Sequence, residues 1–168
     1  ALIGAPNAGK SQLHSQLTGS KADIGPYPFT TKLPQPGMMP FEDLYFQLVD
    51  MPPVSSDYIE GWIVNSLQPA DGVLLVVDLN DPACAEHIEA ILRQLAERKI
   101  DLHGYWHGLR GPKPVPEPTF DAEGEEIIAD PFRISLPTIL VANKSELVDD
   151  PESELQVLME LLELDFPS

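Results

Sequence analysis

The chain has 168 residues, which suits one α/β domain, and a hydrophobic fraction of 43%, which is enough for a sizeable core. Its 27 acidic residues against 10 basic ones give a net charge of −17, which argues against direct binding to DNA or to bare RNA. The apolar runs are too short to span a bilayer and Cys84 is the single cysteine, so the composition predicts a cytoplasmic protein without a membrane segment or an internal disulfide.

Strand-like and helix-like stretches alternate along the chain. In order they are strand Leu2–Gly4, helix Lys10–Leu17, loop Lys21–Pro36, a hairpin of Gly37–Phe41 and Tyr45–Val49 around Glu42-Asp43, helix Tyr58–Leu67, strand Gly72–Asp78, helix Pro82–Lys99, strand Thr138–Ala142 and helix Pro151–Leu162. This alternation is typical of a mostly parallel sheet with helices on both faces. The sequence therefore predicts an α/β fold with one antiparallel hairpin at the edge of the sheet.

Residues 100–137 interrupt the alternation, because they hold six prolines and little periodicity before EGEEIIADPFRISLP. We interpret the end of this segment as a hairpin or extended arm, and the whole segment as an insertion between a helix and a strand. An insertion of this length in a compact domain is usually functional or mobile. Ala1–Gly4 reads as the tail of a strand and Leu164–Ser168 as the approach to another strand, so we expect a single domain over residues 1–168 that is truncated at both ends.

The segment GAPNAGKS, from Gly4 to Ser11, fits the pattern G-x-x-x-x-G-K-[ST] between an apolar strand and a helix. Its glycines let successive amides face one anion, and the start of the helix adds its positive end. Lys10 is expected to reach the β- and γ-phosphates, and Ser11 to bind Mg²⁺. The other residues predicted to contact the nucleotide here are Gly4, Asn7, Ala8, Gly9 and Gln12. The pattern indicates a nucleoside triphosphate without naming its base; the alternative is a Gly-rich turn without a ligand.

The stretches TGSKADIGPYPFTTKLPQPGMM, YFQLVDMPP and PADGVLLVVD follow this loop in an order and spacing that resembles the Obg family of GTPases. The resemblance runs through nearly the whole chain and points to the branch of developmentally regulated GTP-binding proteins. It implies a Ras-like P-loop G domain with a six-stranded sheet, binding of GTP and GDP, dependence on Mg²⁺ and slow hydrolysis of GTP. It also implies a role near ribosomes, and the acidic charge favours a basic protein partner over naked RNA.

The resemblance assigns two residues to the magnesium site beside Ser11. Thr31, with Thr30 as the alternative, matches the threonine of the first switch, whose hydroxyl closes over Mg²⁺ while its amide meets the γ-phosphate. Asp50 ends an apolar strand and matches the carboxylate that holds Mg²⁺ through water. Parallel sheets place ligand groups at the carboxyl ends of their strands, which fits this position. The alternative for Thr30 and Thr31 is a loop cap.

The segment NKSE matches the guanine-reading pattern N-K-x-D, so Asn143, Lys144 and Glu146 are expected to meet the base. Glutamate replaces the usual aspartate, and its extra methylene moves the carboxylate oxygens by roughly 1.5 Å. We therefore predict a preference for guanine that is weaker than that of the family. The alternative is a plain loop leading into the last helix.

The second switch of the family reads D-x-x-G, whereas this chain has Asp50-Met51-Pro52-Pro53. Proline has no N–H, so Pro53 at the glycine position cannot donate to the γ-phosphate. A hydrogen bond to a charged acceptor contributes about 1.5–3 kcal/mol, so discrimination of GTP from GDP would fall by about ten- to a hundredfold. The alternative function is thus a nucleotide-binding module that switches and hydrolyses poorly.

The catalytic set implied by the resemblance is Lys10, Asn7 and Thr31. Val54 stands where Ras-like enzymes have a water-orienting glutamine. Another source of positive charge is then needed, and Asn7 matches an asparagine that helps bind K⁺ beside the phosphates. The alternative is that Asn7 only stabilises the turn of the loop. His14, on the helix after the loop, is expected at the surface.

Overall fold

The computed structural model describes residues 1–20, 33–54, 61–106 and 130–168. Within these ranges the elements are β1 Leu2–Ile3, α1 Lys10–Thr18, β2 Gln35–Phe41, β3 Leu44–Asp50, α2 Gly61–Leu67, β4 Val73–Asp78, α3 Cys84–Glu97, β5 Ile100–His103, β6 Ile134–Asn143 and α4 Pro151–Leu161, with a short 3-10 helix Ser145–Leu147 before α4. No helix of the described ranges is long and apolar enough to cross a membrane.

The six strands form one sheet in the order β2-β3-β1-β4-β6-β5. All neighbouring strands are parallel except β2 and β3, which form the antiparallel edge hairpin. Alternate strand residues bury on opposite faces: Leu2 and Val76 pack on the side of α1, whereas Ile3 and Leu75 pack on the side of α2, α3 and α4. The predicted α/β fold, with a mostly parallel six-stranded sheet and helices on both faces, is confirmed.

The sixth strand lies inside the segment predicted to be an insertion. Ile100–His103 forms β5, which pairs in parallel with the start of β6, so that Ile100 is opposite Ile134 and His103 is opposite Pro137. The strand predicted over Thr138–Ala142 therefore starts earlier, at Ile134, and Asp130–Arg133 forms a turn before it. The interpretation of residues 134–137 as part of a hairpin is wrong, because their sheet partner is the parallel strand β5.

Parallel neighbours need a crossover connection, since each strand must start at the same end of the sheet. Residues 104–133 therefore connect the end of β5 with the start of β6. At the near side of this connection, the indole N–H of Trp106 donates to the Thr138 carbonyl at 3.1 Å. At the far side, Lys99 pairs with Asp130 at 2.8 Å. The connection is therefore shorter than the predicted insertion 100–137, because residues 100–103 belong to β5 and residues 134–137 belong to β6.

The last described residues lie beside β6. The Leu140 N–H donates to the Pro167 carbonyl at 2.8 Å, and the Phe166 side chain is buried against the core. The sequence predicts that Leu164–Ser168 approaches another strand. The Leu140 bond places this segment along the outer edge of β6, next to the end of β5.

Candidate nucleotide site

The segment Gly4–Ser11, called the phosphate loop below, connects the end of β1 with α1, whose first residue is Lys10. The Lys10 side chain is buried, and its ammonium donates to the carbonyls of Ala5 at 2.8 Å and Gly4 at 3.1 Å. Burial lowers the pKa of Lys10 to about 8, although the negative charge of Asp50 opposes this shift. The loop therefore surrounds a buried cation whose hydrogen bonds go to backbone carbonyls, which is an arrangement that favours an incoming phosphate.

The phosphate loop and the segment NKSE are in contact beside Gly9. The Asn143 amide donates to the Ala8 carbonyl at 2.8 Å, across 135 positions of sequence. Gly9 has φ 91°, and a Cβ at this residue would overlap the Asn143 side chain. Glycine is needed at this position both for its backbone angle and for the space that Asn143 occupies.

Ser11 and Asp50 meet at the head of α1. The Ser11 hydroxyl donates to Asp50 Oδ2 at 2.5 Å, and the Asp50 side chain is 1% exposed. Among the described residues, Asp50 Oδ1 is buried and has no hydrogen-bond partner. A buried carboxylate oxygen without a partner is costly, and a bound cation would remove that cost.

The donor set at this point fits Mg²⁺. The ion is usually held by one or two protein oxygens and completes its octahedron with water and substrate phosphates. The hydroxyl of Ser11 and the carboxylate of Asp50 supply such oxygens. The described ranges contain no group of three or more His, Cys, Asp or Glu side chains that could hold a metal alone. A cation here would thus depend on oxygens from a ligand and from water.

The backbone after Asp50 continues to pair with β1 and the phosphate loop. The Met51 N–H donates to the Leu2 carbonyl at 3.2 Å, and the Val54 N–H donates to the Gly4 carbonyl at 3.2 Å. Pro52 and Pro53 between them have no N–H. Val54 is 2% exposed and belongs to the hydrophobic core. The Val54 side chain therefore fills the core, and each amide from 51 to 54 is either absent or already bonded.

The segment NKSE leaves the carboxyl end of β6 through a left-handed residue, Lys144, with φ 58°. Its ammonium pairs with Asp78 Oδ2 at 2.5 Å, at the end of the neighbouring strand β4. Glu146 follows in the short 3-10 helix with an exposed side chain. Asp78 has no role among the sequence predictions, although, like Asp50, it is a carboxylate that ends an apolar strand.

The structure brings Lys10, Ser11 and Asp50 together and connects Asn143 with the loop. Asn7 is exposed with φ 62°, a left-handed conformation that asparagine tolerates, and Gln12 is exposed on the first turn of α1. Thr30 and Thr31 lie outside the described residues. The functional roles given to all these residues stay predictions.

His14 is buried, so its predicted surface position is wrong. Its Nε2–H donates to the Leu48 carbonyl at 3.2 Å, and its Nδ1 lies 3.3 Å from the Ser20 hydroxyl. The reason is that α1 turns this residue toward the hairpin of β2 and β3. The half-buried Cys84 thiol has its pKa raised to about 11, first by burial and then by Asp81, which suits an unreactive thiol.

Residues 1–104 match the family described as 50S ribosome-binding GTPase. The chain is 31% identical to GTPase Obg of Salinibacter ruber over 107 residues, covering 60% of this chain and 32% of the relative. It is 31% identical to GTPase Obg of Myxococcus xanthus over 150 residues, covering 88% of this chain and 26% of the relative. It is 36% identical to developmentally-regulated G-protein 2 of Arabidopsis thaliana over 83 residues, covering 46% of this chain and 21% of the relative.

The chain thus spans about a third or less of the length of these relatives. Two solved structures are similar at lower identity. One is an S. thermophilus NFeoB mutant bound to GMPPNP, with 20% identity, a TM-score of 0.48 and coverage of 92% of this chain and 58% of the other. The second is the G domain of the T. maritima FeoB iron transporter, with 19% identity, a TM-score of 0.43 and coverage of 96% of both chains.

Proposed function

We propose that this chain, which belongs to the family of 50S ribosome-binding GTPases, binds GTP and GDP together with Mg²⁺ and hydrolyses GTP slowly. The observation that supports this most is the junction of the phosphate loop with β3. There the buried Lys10 ammonium stands near the Ser11–Asp50 pair and its unpartnered carboxylate oxygen. A triphosphate with a divalent cation would satisfy both groups at once.

In this proposal the amides of the loop from Gly4 to Gln12 hold the phosphates, and Lys10 neutralises the β- and γ-phosphates. Ser11 and Asp50, the latter through water, would hold Mg²⁺, which supplies charge stabilisation when it is bound. Thr31 would join this set from the first switch. Asn143, Lys144 and Glu146 would read guanine, because a carboxylate can accept hydrogen bonds from both the ring N–H and the amine of this base.

Hydrolysis would need positive charge beside the phosphates that the second switch does not supply. Val54 packs in the core and its N–H is bonded to Gly4, so this residue does not orient the attacking water. We assign the role of holding K⁺ beside the phosphates to Asn7, which is exposed on the loop. The family membership favours such a GTPase over a module that only stores nucleotide.

Single-turnover hydrolysis of GTP by the purified protein in Mg²⁺ buffer tests this proposal. We expect the rate in KCl to exceed the rate in NaCl by at least about tenfold, which is 1.4 kcal/mol of barrier. Asn7→Ala is expected to lose this difference, whereas Gln16→Ala, at an exposed position of α1, should keep it. Equal and negligible rates in both salts would contradict the proposal.

We assign the domain a basic protein partner, such as a protein surface of the large ribosomal subunit, and a cytoplasmic location. The net charge of −17 would attract such a surface. A groove of about 480 Å³ beside α4 combines acidic and apolar groups. Its residues include Glu152, Glu160 and Glu163 with Leu155, Met159 and Leu164. These residues would suit a basic segment that also has apolar side chains.

A further inference from the structure

We infer that Asp78 is a positioning residue for base recognition, because it holds Lys144 and thereby the turn that carries Glu146. This inference rests on the proposed function, since it concerns how the same site reads its base. It adds a residue outside the segment NKSE and outside the phosphate loop. Asp78 and the segment NKSE meet where β4 and β6 end side by side.

The two strands stay in register up to their last residues. Asp78 is opposite Asn143 in the parallel pair, and the Leu79 N–H donates to the Asn143 carbonyl at 3.1 Å. The next residue, Lys144, leaves the strand with φ 58°, so its side chain and the following 3-10 helix change direction here. A non-glycine residue in this conformation needs surrounding contacts to maintain it.

The side chains of Asn143 and Lys144 are bonded to different elements. The Asn143 amide is bonded to the Ala8 carbonyl of the phosphate loop at 2.8 Å. The Lys144 ammonium is bonded to Asp78 Oδ2 of β4 at 2.5 Å. Two fixed points on neighbouring residues determine the direction in which the chain continues toward Glu146.

The Asp78 carboxylate is itself held in place. Its Oδ1 accepts the Asn80 N–H at 3.1 Å, while Oδ2 faces Lys144. The Asp78 side chain is 18% exposed and that of Lys144 is 33% exposed, so water screens the pair only in part. A charge-assisted bond of this kind can fix the geometry of the turn that carries the exposed Glu146.

Titration of the purified protein with GDP and with pyrophosphate, both with Mg²⁺, separates base reading from phosphate binding. Asp78→Asn keeps the size and one acceptor oxygen but removes the charge. We expect it to weaken GDP binding by about three- to tenfold and to leave pyrophosphate binding within about twofold. Asp101→Asn is the matched control, because Asp101 pairs with Arg133 near the opposite ends of the strands. It should leave both affinities unchanged.

Lys144→Met removes the ammonium and keeps an unbranched apolar stem. If Asp78 acts through Lys144, adding Asp78→Asn to Lys144→Met should change the GDP affinity by less than about twofold. Equal losses from Asp78→Asn in both backgrounds would overturn the inference, and so would equal losses of GDP and pyrophosphate binding. Asp78→Glu, which keeps the charge, should bind GDP within about threefold of the wild-type protein. A loss as large as that of Asp78→Asn would also overturn the inference.

Binding of GDP and pyrophosphate by the unsubstituted protein distinguishes failure of this inference from failure of the proposed function. If it binds neither GDP nor pyrophosphate, the proposed function is wrong and the inference is overturned with it. If it binds GDP tightly and the cycle shows no coupling between Asp78 and Lys144, only the inference is overturned. Coupling in the GDP cycle together with unchanged pyrophosphate binding is the result that we expect.

Discussion

At the scale of single residues, Pro53 would limit γ-phosphate sensing if it holds the position of the second-switch glycine. A γ-phosphate sensor needs a free backbone N–H, and the stretch from Met51 to Val54 has none. Met51 and Val54 donate to the Leu2 and Gly4 carbonyls, and the two prolines have no N–H at all. Any binding preference for GTP over GDP would then have to come from other contacts of the γ-phosphate, such as those expected of Lys10.

Pro53→Gly should restore this sensor. The new N–H can donate to a γ-phosphate, so we expect the ratio of GTPγS affinity to GDP affinity to rise by about ten- to a hundredfold. Pro53→Ala is the matched comparison, because it restores the N–H without the freedom of glycine. Calorimetric titration with both nucleotides measures the ratio. An unchanged ratio in both variants would show that Pro53 does not occupy the sensor position.

The sequence singled out Lys10 and Ser11 through a motif of fixed spacing, and Asp50 through the family resemblance together with its place at the end of an apolar strand. Asp78 ends a buried strand in the same way, but its proposed role depends on its pairing with Lys144, 66 positions away. The burial of His14 depends likewise on the hairpin packed against α1. A sequence pattern describes a residue's own element, whereas these two roles come from a neighbouring one.

At the scale of elements, α1 packs closely against the edge hairpin around Gly37. The His14 ring lies against Gly37 of β2, where an added Cβ would be 2.7 Å from Cε1 and Nε2. The same ring donates to the Leu48 carbonyl of β3. His14 therefore connects the helix that follows the phosphate loop with both strands of the hairpin, and Gly37 leaves the space for its ring.

Substitutions at this contact should be coupled. His14→Ala removes the buried hydrogen bond to the Leu48 carbonyl and leaves a cavity beside Gly37, and should lower the free energy of unfolding by about 1–3 kcal/mol. Gly37→Ala introduces a clash and should cost about 1–3 kcal/mol. In the double variant the overlap with the ring is relieved and only that with Thr18 Cγ2, at 2.8 Å, remains, so the combined loss should fall below the sum by at least about 0.5 kcal/mol. Urea unfolding measures all three, and strict additivity would contradict this packing.

The strands differ in how well their sequences predict them. β4 was predictable from the continuous apolar run VLLVVD, because a strand covered on both faces needs such a run. β5 is only four residues long, IDLH, and half of its residues are polar or charged. Its position comes from parallel pairing with β6 across a connection of 30 residues, so no local pattern identifies it. Pairing with β5 is also the reason why β6 begins at Ile134.

At the scale of the whole molecule, the acidic charge should govern the choice of partner. We expect the protein to sediment with purified large ribosomal subunits at low salt and to be released as salt screens the attraction. Glu152→Lys with Glu160→Lys reverses charge in the groove beside α4 and should weaken this association. Glu97→Lys, at an exposed position of α3, is the control. No association at any salt concentration would exclude this partner.

The central claim is that the phosphate loop and the segment NKSE together bind a guanine nucleotide. Titration of the purified protein with GDP and ADP in Mg²⁺ buffer tests it most directly. We expect GDP to bind at one site and ADP to bind at least about tenfold more weakly, because ADP lacks the paired donors that Glu146 would accept. Lys10→Ala should weaken GDP binding by at least about tenfold, whereas Arg93→Ala, an exposed cation on α3, should leave it within about twofold. No GDP binding, or equal affinities for GDP and ADP, would contradict the account.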